Sequence, residues 1–138
     1  RLAPAPFLTP PGPGFTATNP APTSPPGRGP VPGNGARLAA LETAPGIPPV
    51  VVGKPEPRMY EEALLRMAAR PETTAVIGDR LDTDIAGGVR AGLTTVLVLS
   101  GITTEADLAG SAVKPDLVCV NIEELIAVWE RCTPDPLQ

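Results

Sequence analysis

The stretch Ala75-Val76-Ile77-Gly78-Asp79-Arg80-Leu81-Asp82-Thr83-Asp84 decides the fold. A short apolar run ends at Gly78, and three carboxylates follow within six residues: Asp79, Asp82 and Asp84. This pattern predicts a buried strand, a tight turn and a helix start. Asp79 then falls at the carboxyl end of the strand, where ligands collect in open α/β sheets. Asp82 or Asp84 can cap the helix that continues through Ile85 and Val89. Capping accounts for one carboxylate. It does not account for three, because crowded like charges repel unless a cation or hydrogen-bond donors compensate them. A hard divalent cation such as magnesium takes carboxylate oxygens and keeps several waters, which suits substrate phosphates. A solvated acidic face on an ordinary strand-to-helix turn is the alternative, and spacing alone leaves both open.

Toward the N-terminus, Pro49 to Val52 is a short β-branched run ending at Gly53-Lys54-Pro55. Pro57 opens a helix to about Arg70, with Met59, Ala63, Leu64 and Met67 on its apolar face. Thr74 to Ile77 is the strand already described, and a helix over Thr83 to Ala91 follows it. The Gly87-Gly88 pair in that helix costs about 1 kcal/mol per glycine against alanine, which points to close packing on a sheet. Thr94 to Leu99 is a third strand, ending at Ser100-Gly101. Thr103 to Ala109 reads as a short helix capped by Thr103 or Thr104, and Asp116 to Val120 as a fourth strand. Asn121 to Arg131 is the last helix. Asn121 and Glu124 resemble a capping box there, and Leu125, Val128 and Trp129 form the expected buried stripe. Short apolar strands alternating with helices predict βαβ units on a parallel sheet. Right-handed crossovers then bring the strand ends at Gly53, Gly78 and Ser100 to one edge, and Lys54 close to Asp79. Such a lysine is either one partner of a structural ion pair or the cation that holds a phosphate.

Composition narrows the field. The 138 residues suit one domain or part of one, and the first residue is Arg1 rather than Met. A net charge of −4 argues against nucleic-acid binding by phosphate neutralisation. No long apolar run predicts a membrane span, and no signal pattern opens the chain. The two cysteines, Cys119 and Cys132, are too few for a disulfide framework. Cys119 sits in an apolar run as a core residue, so a reducing, cytoplasmic setting is expected. With no histidine in the chain, Ser-His-Asp and Cys-His catalysis within it are excluded. Residues 1–35 hold 11 prolines and 6 glycines, a composition that by itself predicts disorder or an extended linker. Residues 36–44 read as a short helix with Leu38 and Leu41 on one face and Gly46 as its stop.

Val52-Gly53-Lys54-Pro55 followed, after a helix, by Val76-Ile77-Gly78-Asp79-Arg80-Leu81-Asp82-Thr83-Asp84-Ile85 resembles the third and fourth motifs of the haloacid dehalogenase superfamily. More narrowly it is similar to the branch of sugar-phosphate and 4-nitrophenyl phosphate phosphatases with a large α/β cap. The segments from Val89 to Gly101 and from Lys114 to Ile126 fit that family's closing strands and helices. Phe15 to Pro20 resembles its cap strand and following loop, and Val31 to Ala36 the start of the cap's last helix. The resemblance implies an α/β fold: half of a doubly wound, Rossmann-like parallel-sheet core, preceded by the end of an α/β cap. Residues 1–48 would close the cap, 49–132 would form the second half of the core, and 133–138 would be a tail. It further implies a magnesium-dependent phosphate monoester hydrolase acting on small phosphorylated metabolites. Lys54 matches the lysine that binds phosphate and stabilises the nucleophile. Asp79 matches the magnesium ligand, and Asp84 the second acidic residue of the fourth motif. Thr18, Asn19 and Ser24 fall where the cap loop faces the substrate. Asp82 is left as a helix-start residue.

Departures from the pattern matter as much. The family's first motif, DxD followed by Gly-Thr, is absent from these residues, and so is its second, a Ser or Thr after a strand. Asp82 and Asp84 do not replace the first motif, because they fall in a helix start and not after the first strand. Without that nucleophile no covalent phosphoenzyme forms, so the chain alone is expected to be inactive. Pro4, Pro6, Pro10, Pro11 and Pro13 stand where the family has a helix, and Ala21 where it usually has an acidic residue. Half a parallel sheet also leaves an apolar edge that invites self-association or pairing with a missing N-terminal half. The competing readings are a non-catalytic binding or scaffold module, and an unrelated receiver-like domain. The latter gathers carboxylates at strand ends but does not account for Gly53-Lys54-Pro55.

Overall fold

β5, Ala75–Gly78, is a strand of a three-stranded parallel sheet with β6, Thr94–Val98, and β7, Leu117–Cys119, in the order β5-β6-β7. The computed structural model describes residues 14–21, 23–24, 31–43 and 46–132. The chain divides into two compact units between Glu56 and Pro57.

In the second unit, β6 is central. Ile77 pairs with Val96 and Gly78 with Leu97 on one side, and Val96 pairs with Leu117 and Val98 with Cys119 on the other. Successive strand residues point to opposite faces. Leu97 therefore packs with Leu81 and Ile85, with Leu99, Leu108 and Val113 around them. Val96 faces the other way, onto Cys119 and Leu125, with Val98 and Leu117 beside them. Ile85 and Leu97 are fully buried, so these two residues anchor the first core. Short helices make the crossovers: α3, Ala86–Arg90, between β5 and β6, and α4, Glu105–Gly110, between β6 and β7. A Cβ at Gly88 of α3 would lie 2.3 Å from Val76 Cγ1 and 2.9 Å from Thr95 Cγ2, so the close approach expected of this glycine is present. Thr104 caps α4 in a full capping box with Asp107. Thr95 and Asp116 lock β6 to the loop before β7. The Asp116 carboxylate accepts from both the Thr95 N–H and its hydroxyl at 2.8 Å, and the Asp116 N–H donates back to that hydroxyl at 3.0 Å. The Thr95 N–H, and after it the hydroxyl, hold Asp116 below the usual carboxylate range.

The helices flanking this sheet are less buried than their patterns imply. α2, Arg58–Met67, buries Leu64, whereas Met59, Ala63 and Met67 of the expected apolar face are exposed. It ends at Ala68 in the left-handed region, φ 50°, a cap more often made by glycine. α5, Ile122–Cys132, buries Leu125, but Trp129 of the expected stripe is 61% exposed. The Asn121 side chain does accept from the Glu124 N–H at 2.9 Å. Glu124 reaches one residue further back than a capping box requires, to the Val120 N–H. On β5, Ile77 lies on the Val96 face and is 49% exposed, because α5 covers that face over β6 and β7.

In the first unit, β1, Thr16–Ala17, runs parallel to β4, Val50–Val51, and β2, Thr23–Ser24, runs antiparallel to β3, Val31–Pro32. α1, Asn34–Thr43, buries Leu38. The sequence pattern placed β4 in one sheet with β5. Among the described residues the strand paired with β4 is β1, along one edge: the Val50 N–H donates to Phe15 O at 2.8 Å and the Val52 N–H to Ala17 O at 2.9 Å. Strand structure reaches into the proline-rich segment, since β1, β2 and β3 all fall within residues 1–35. The prolines from Pro4 to Pro13 and the tail at 133–138 lie outside the described residues. Among the described residues, no helix is long and apolar enough to cross a membrane.

Candidate active site

The chain leaves β5 through Gly78 and enters a wide π-helical turn, Leu81–Ile85, before α3. Both the Asp84 and Ile85 N–H groups donate to Arg80 O, at 3.0 and 3.1 Å. The i→i−5 bond marks an extra residue in the turn, a feature frequent at functional sites. The widening carries Asp84 inward, to 7% exposure. Its Cβ lies where a Cβ on Gly78 would be, 2.2 Å from that ideal position, so only glycine permits this packing. Asp84 Oδ2 accepts from the Arg80 N–H at 3.2 Å. Neither Asp82 nor Asp84 takes the N-cap position, as either was expected to do: Arg80 stands there, and the chain is already helical at both aspartates. Asp84 folds back onto the turn, and Asp82 is drawn to Arg80. The Tyr60 hydroxyl donates to Asp84 O at 3.2 Å and ties α2 to this turn.

Asp79 is held from the opposite side. Its Oδ2 accepts from the Ile102 N–H at 2.9 Å, and its backbone O accepts from the Thr103 N–H at 3.1 Å. A Cβ on Gly101 would come within 2.2 Å of that same Oδ2. The loop after β6 thus wraps the Asp79 carboxylate, and Gly101 is the residue that makes room for it. Buried Thr103 also accepts from the Leu81 N–H, at 3.4 Å. Sequence reading assigned Thr103 to a helix start and missed Gly101, Thr103 and Tyr60. The signal available was a glycine straight after a strand, which marks a close approach without saying to what.

Asp82 is exposed and meets Arg80 in a two-point fork, Nε to Oδ1 at 3.1 Å and Nη2 to Oδ2 at 2.9 Å. The hydrogen bond to Asp82, and then its charge, raise the Arg80 guanidinium above its ordinary value. The charges of Asp79 and Asp84 add to this. Asp82 is held below the usual carboxylate range, first by that hydrogen bond.

The remaining candidates lie in the first unit. Lys54 is exposed in the turn after β4, and its peptide bond to Pro55 is cis. Gly53 leaves no room for a Cβ, which would fall 1.7 Å from Thr18 O. Thr18 and Asn19 form the loop after β1. Asn19 Oδ1 accepts from the Ala21 N–H at 3.1 Å, an Asx turn, and Asn19 O accepts from Asn34 Nδ2 at 2.7 Å. The loop is pinned to the start of α1, where the Gly35 N–H donates to Ala21 O at 2.7 Å. Ser24 is in β2, paired with Val31. Lys54, Thr18, Asn19 and Ser24 therefore share one unit, while Asp79 and Asp84 share the other. The expected meeting of Lys54 with Asp79 spans the two and remains an expectation.

A family model described as HAD-hydrolase-like matches residues 51–125, more than half of the chain and both motif segments. The chain belongs to the HAD-like hydrolases. This HAD-like chain is 40% identical over 116 residues to a dihydroxyacetone phosphatase of Corynebacterium glutamicum, covering 84% of itself and 42% of that protein. Among solved structures, it is similar to the 4-nitrophenylphosphatase from Thermotoga maritima, with a TM-score of 0.72 and 38% identity over 78% of this chain and 42% of that one. It is equally similar to the glycerol phosphate phosphatase of Mycobacterium tuberculosis in complex with magnesium, TM-score 0.72 and 41% identity, over 80% of this chain and 34% of that one. The chain spans less than half the length of these relatives. That partial span fits the closing portion of a cap-bearing phosphatase.

The HAD-like donor set fits a hard cation in part. Asp79 and Asp84 are oxygen donors, and in each one carboxylate oxygen is anchored on a backbone N–H, which fixes the group's orientation. Among the described residues, no group of three or more acidic, cysteine or histidine side chains converges as a metal cluster. Magnesium tolerates this, because it is commonly bound by one or two carboxylates with water and phosphate oxygens completing its shell.

Proposed function

We propose that this HAD-like chain forms part of a magnesium-dependent phosphate monoester hydrolase acting on small phosphorylated metabolites. The single observation that carries the reading is Asp79, anchored on the Ile102 N–H at the carboxyl end of β5 in a chain of this family. Asp79 is the direct magnesium ligand in this reading, and Asp84 acts behind it, through water or by orienting the turn. When bound, magnesium neutralises charge on the transferring phosphoryl group and orients it. Lys54 binds the phosphate and steadies the attacking carboxylate. Thr18, Asn19 and Ser24 face the organic part of the substrate. The nucleophilic carboxylate is not among these 138 residues, so it comes from polypeptide outside them and this chain alone is inactive. The two free thiols, Cys119 buried and Cys132 exposed, are consistent with the reducing, cytoplasmic setting proposed here.

The test is hydrolysis of 4-nitrophenyl phosphate with magnesium. The 138-residue chain should give no turnover. The longer protein carrying a DxD motif should turn over, and Asp79→Asn or Lys54→Met should cut its rate by about 10²–10³-fold, the scale of losing one charge-stabilising group. Turnover by the isolated chain, or full activity in longer Asp79→Asn protein, would overturn the reading.

A further inference from the structure

We propose that the Arg80–Asp82 fork sets how tightly a divalent cation is held at the Asp79 rim, by fixing which carboxylates the cation meets. The inference deepens the metal reading of Asp79 and rests on it. Arg80 follows Asp79 in the chain and contacts the other two carboxylates of the turn. Its backbone N–H donates to Asp84, and its guanidinium occupies both oxygens of Asp82. An arginine is always charged, and its planar fork matches a carboxylate. Asp82 is thereby withdrawn as a ligand, although it is the most exposed of the three acidic side chains and lies two residues from Asp84. The fork is 44% exposed on the arginine side and 66% on the aspartate side, so it contributes little to stability. Its consequence is electrostatic. Three carboxylates and one guanidinium leave this turn at −2, the complement of a divalent ion. Without Arg80 the turn is at −3 and Asp82 is released toward the rim. Without the Asp82 charge it is at −1 and the guanidinium is left facing the cation.

The experiment is manganese binding to the 138-residue chain, read from the free-ion electron paramagnetic resonance signal at low ionic strength, with magnesium as competitor. Manganese is a suitable probe because it shares magnesium's preference for oxygen donors. Arg80→Gln should tighten binding by about three- to ten-fold, the effect of one unit charge on a divalent ion across roughly 8 Å of water-like dielectric. Asp82→Asn should weaken it by about the same factor. The double substitution Arg80→Gln/Asp82→Asn restores −2 and should return affinity to within about two-fold of the unsubstituted chain. A merely structural role would weaken binding in all three variants, and that result overturns the proposal. Binding lost in Asp79→Asn but unchanged in Arg80→Gln and Asp82→Asn overturns the fork alone. No binding by the unsubstituted chain overturns the metal reading along with it.

Discussion

A methyl group on residue 101 would stand 2.2 Å from the Asp79 Oδ2 that accepts from the Ile102 N–H, and one on residue 78 would overlap the Asp84 side chain. The two carboxylates of the rim are thus placed by two absent side chains as much as by their own backbones. Gly101→Ala should push the Asp79 carboxylate off its anchor and lower manganese affinity by about 10- to 100-fold, the range for losing an outer support of a metal ligand. The added Cβ would also stand 2.4 Å from the Asp79 Cβ, so the loop must shift and the thermal midpoint should fall as well. An unchanged affinity would show that the loop after β6 does not hold Asp79 in place. The motifs single out Lys54, Asp79 and Asp84 as candidates, and the structure places the two aspartates together on one turn. The supports of that turn were not legible, because Gly101, Thr103 and Tyr60 reach it through tertiary contacts that no local spacing encodes.

At the scale of elements, β6 was the most legible strand, since strands pair with it along both edges and its β-branched and apolar run Thr95 to Leu97 is buried. The order of strands and helices along the second unit matches the pattern of alternating apolar runs and caps. Apolar periodicity overstated burial in α2 and α5: Met59, Met67 and Trp129 carry the pattern of a packed face yet lie exposed. A stripe reports that a helix can be covered, and says nothing of what covers it. The π-helical turn was also invisible, because an extra residue in a helix start leaves the composition unchanged. The pairing of β4 with β1 was missed for a different reason: two residues of valine carry no partner information. Core energetics give the element-level prediction. Leu97 is fully buried at the centre of the first core, so Leu97→Ala should cost about 2–5 kcal/mol in urea unfolding. Leu65→Ala, on the exposed side of α2, should stay within about 0.5 kcal/mol. Equal losses at the two positions would mean that the sheet described here is not the stable core.

For the molecule as a whole, the family is shown, the fold is α/β with parallel strands, and the chain spans less than half of its relatives' length. In the function proposed for these residues, their part in phosphate chemistry is a rim at Asp79 and Asp84 that holds a cation, and the rest of the account follows from that proposal. The most direct test is a magnesium titration of the 138-residue chain followed through its backbone amide resonances. The Ile102 and Arg80 amides donate to Asp79 and Asp84, so they report on the two carboxylates. Both should shift in a saturable way with added magnesium, and the Asp79→Asn chain should lose the saturable shift at Ile102. Amides that stay still at Ile102 and Arg80 while magnesium rises, or that shift identically in the Asp79→Asn chain, would contradict the account.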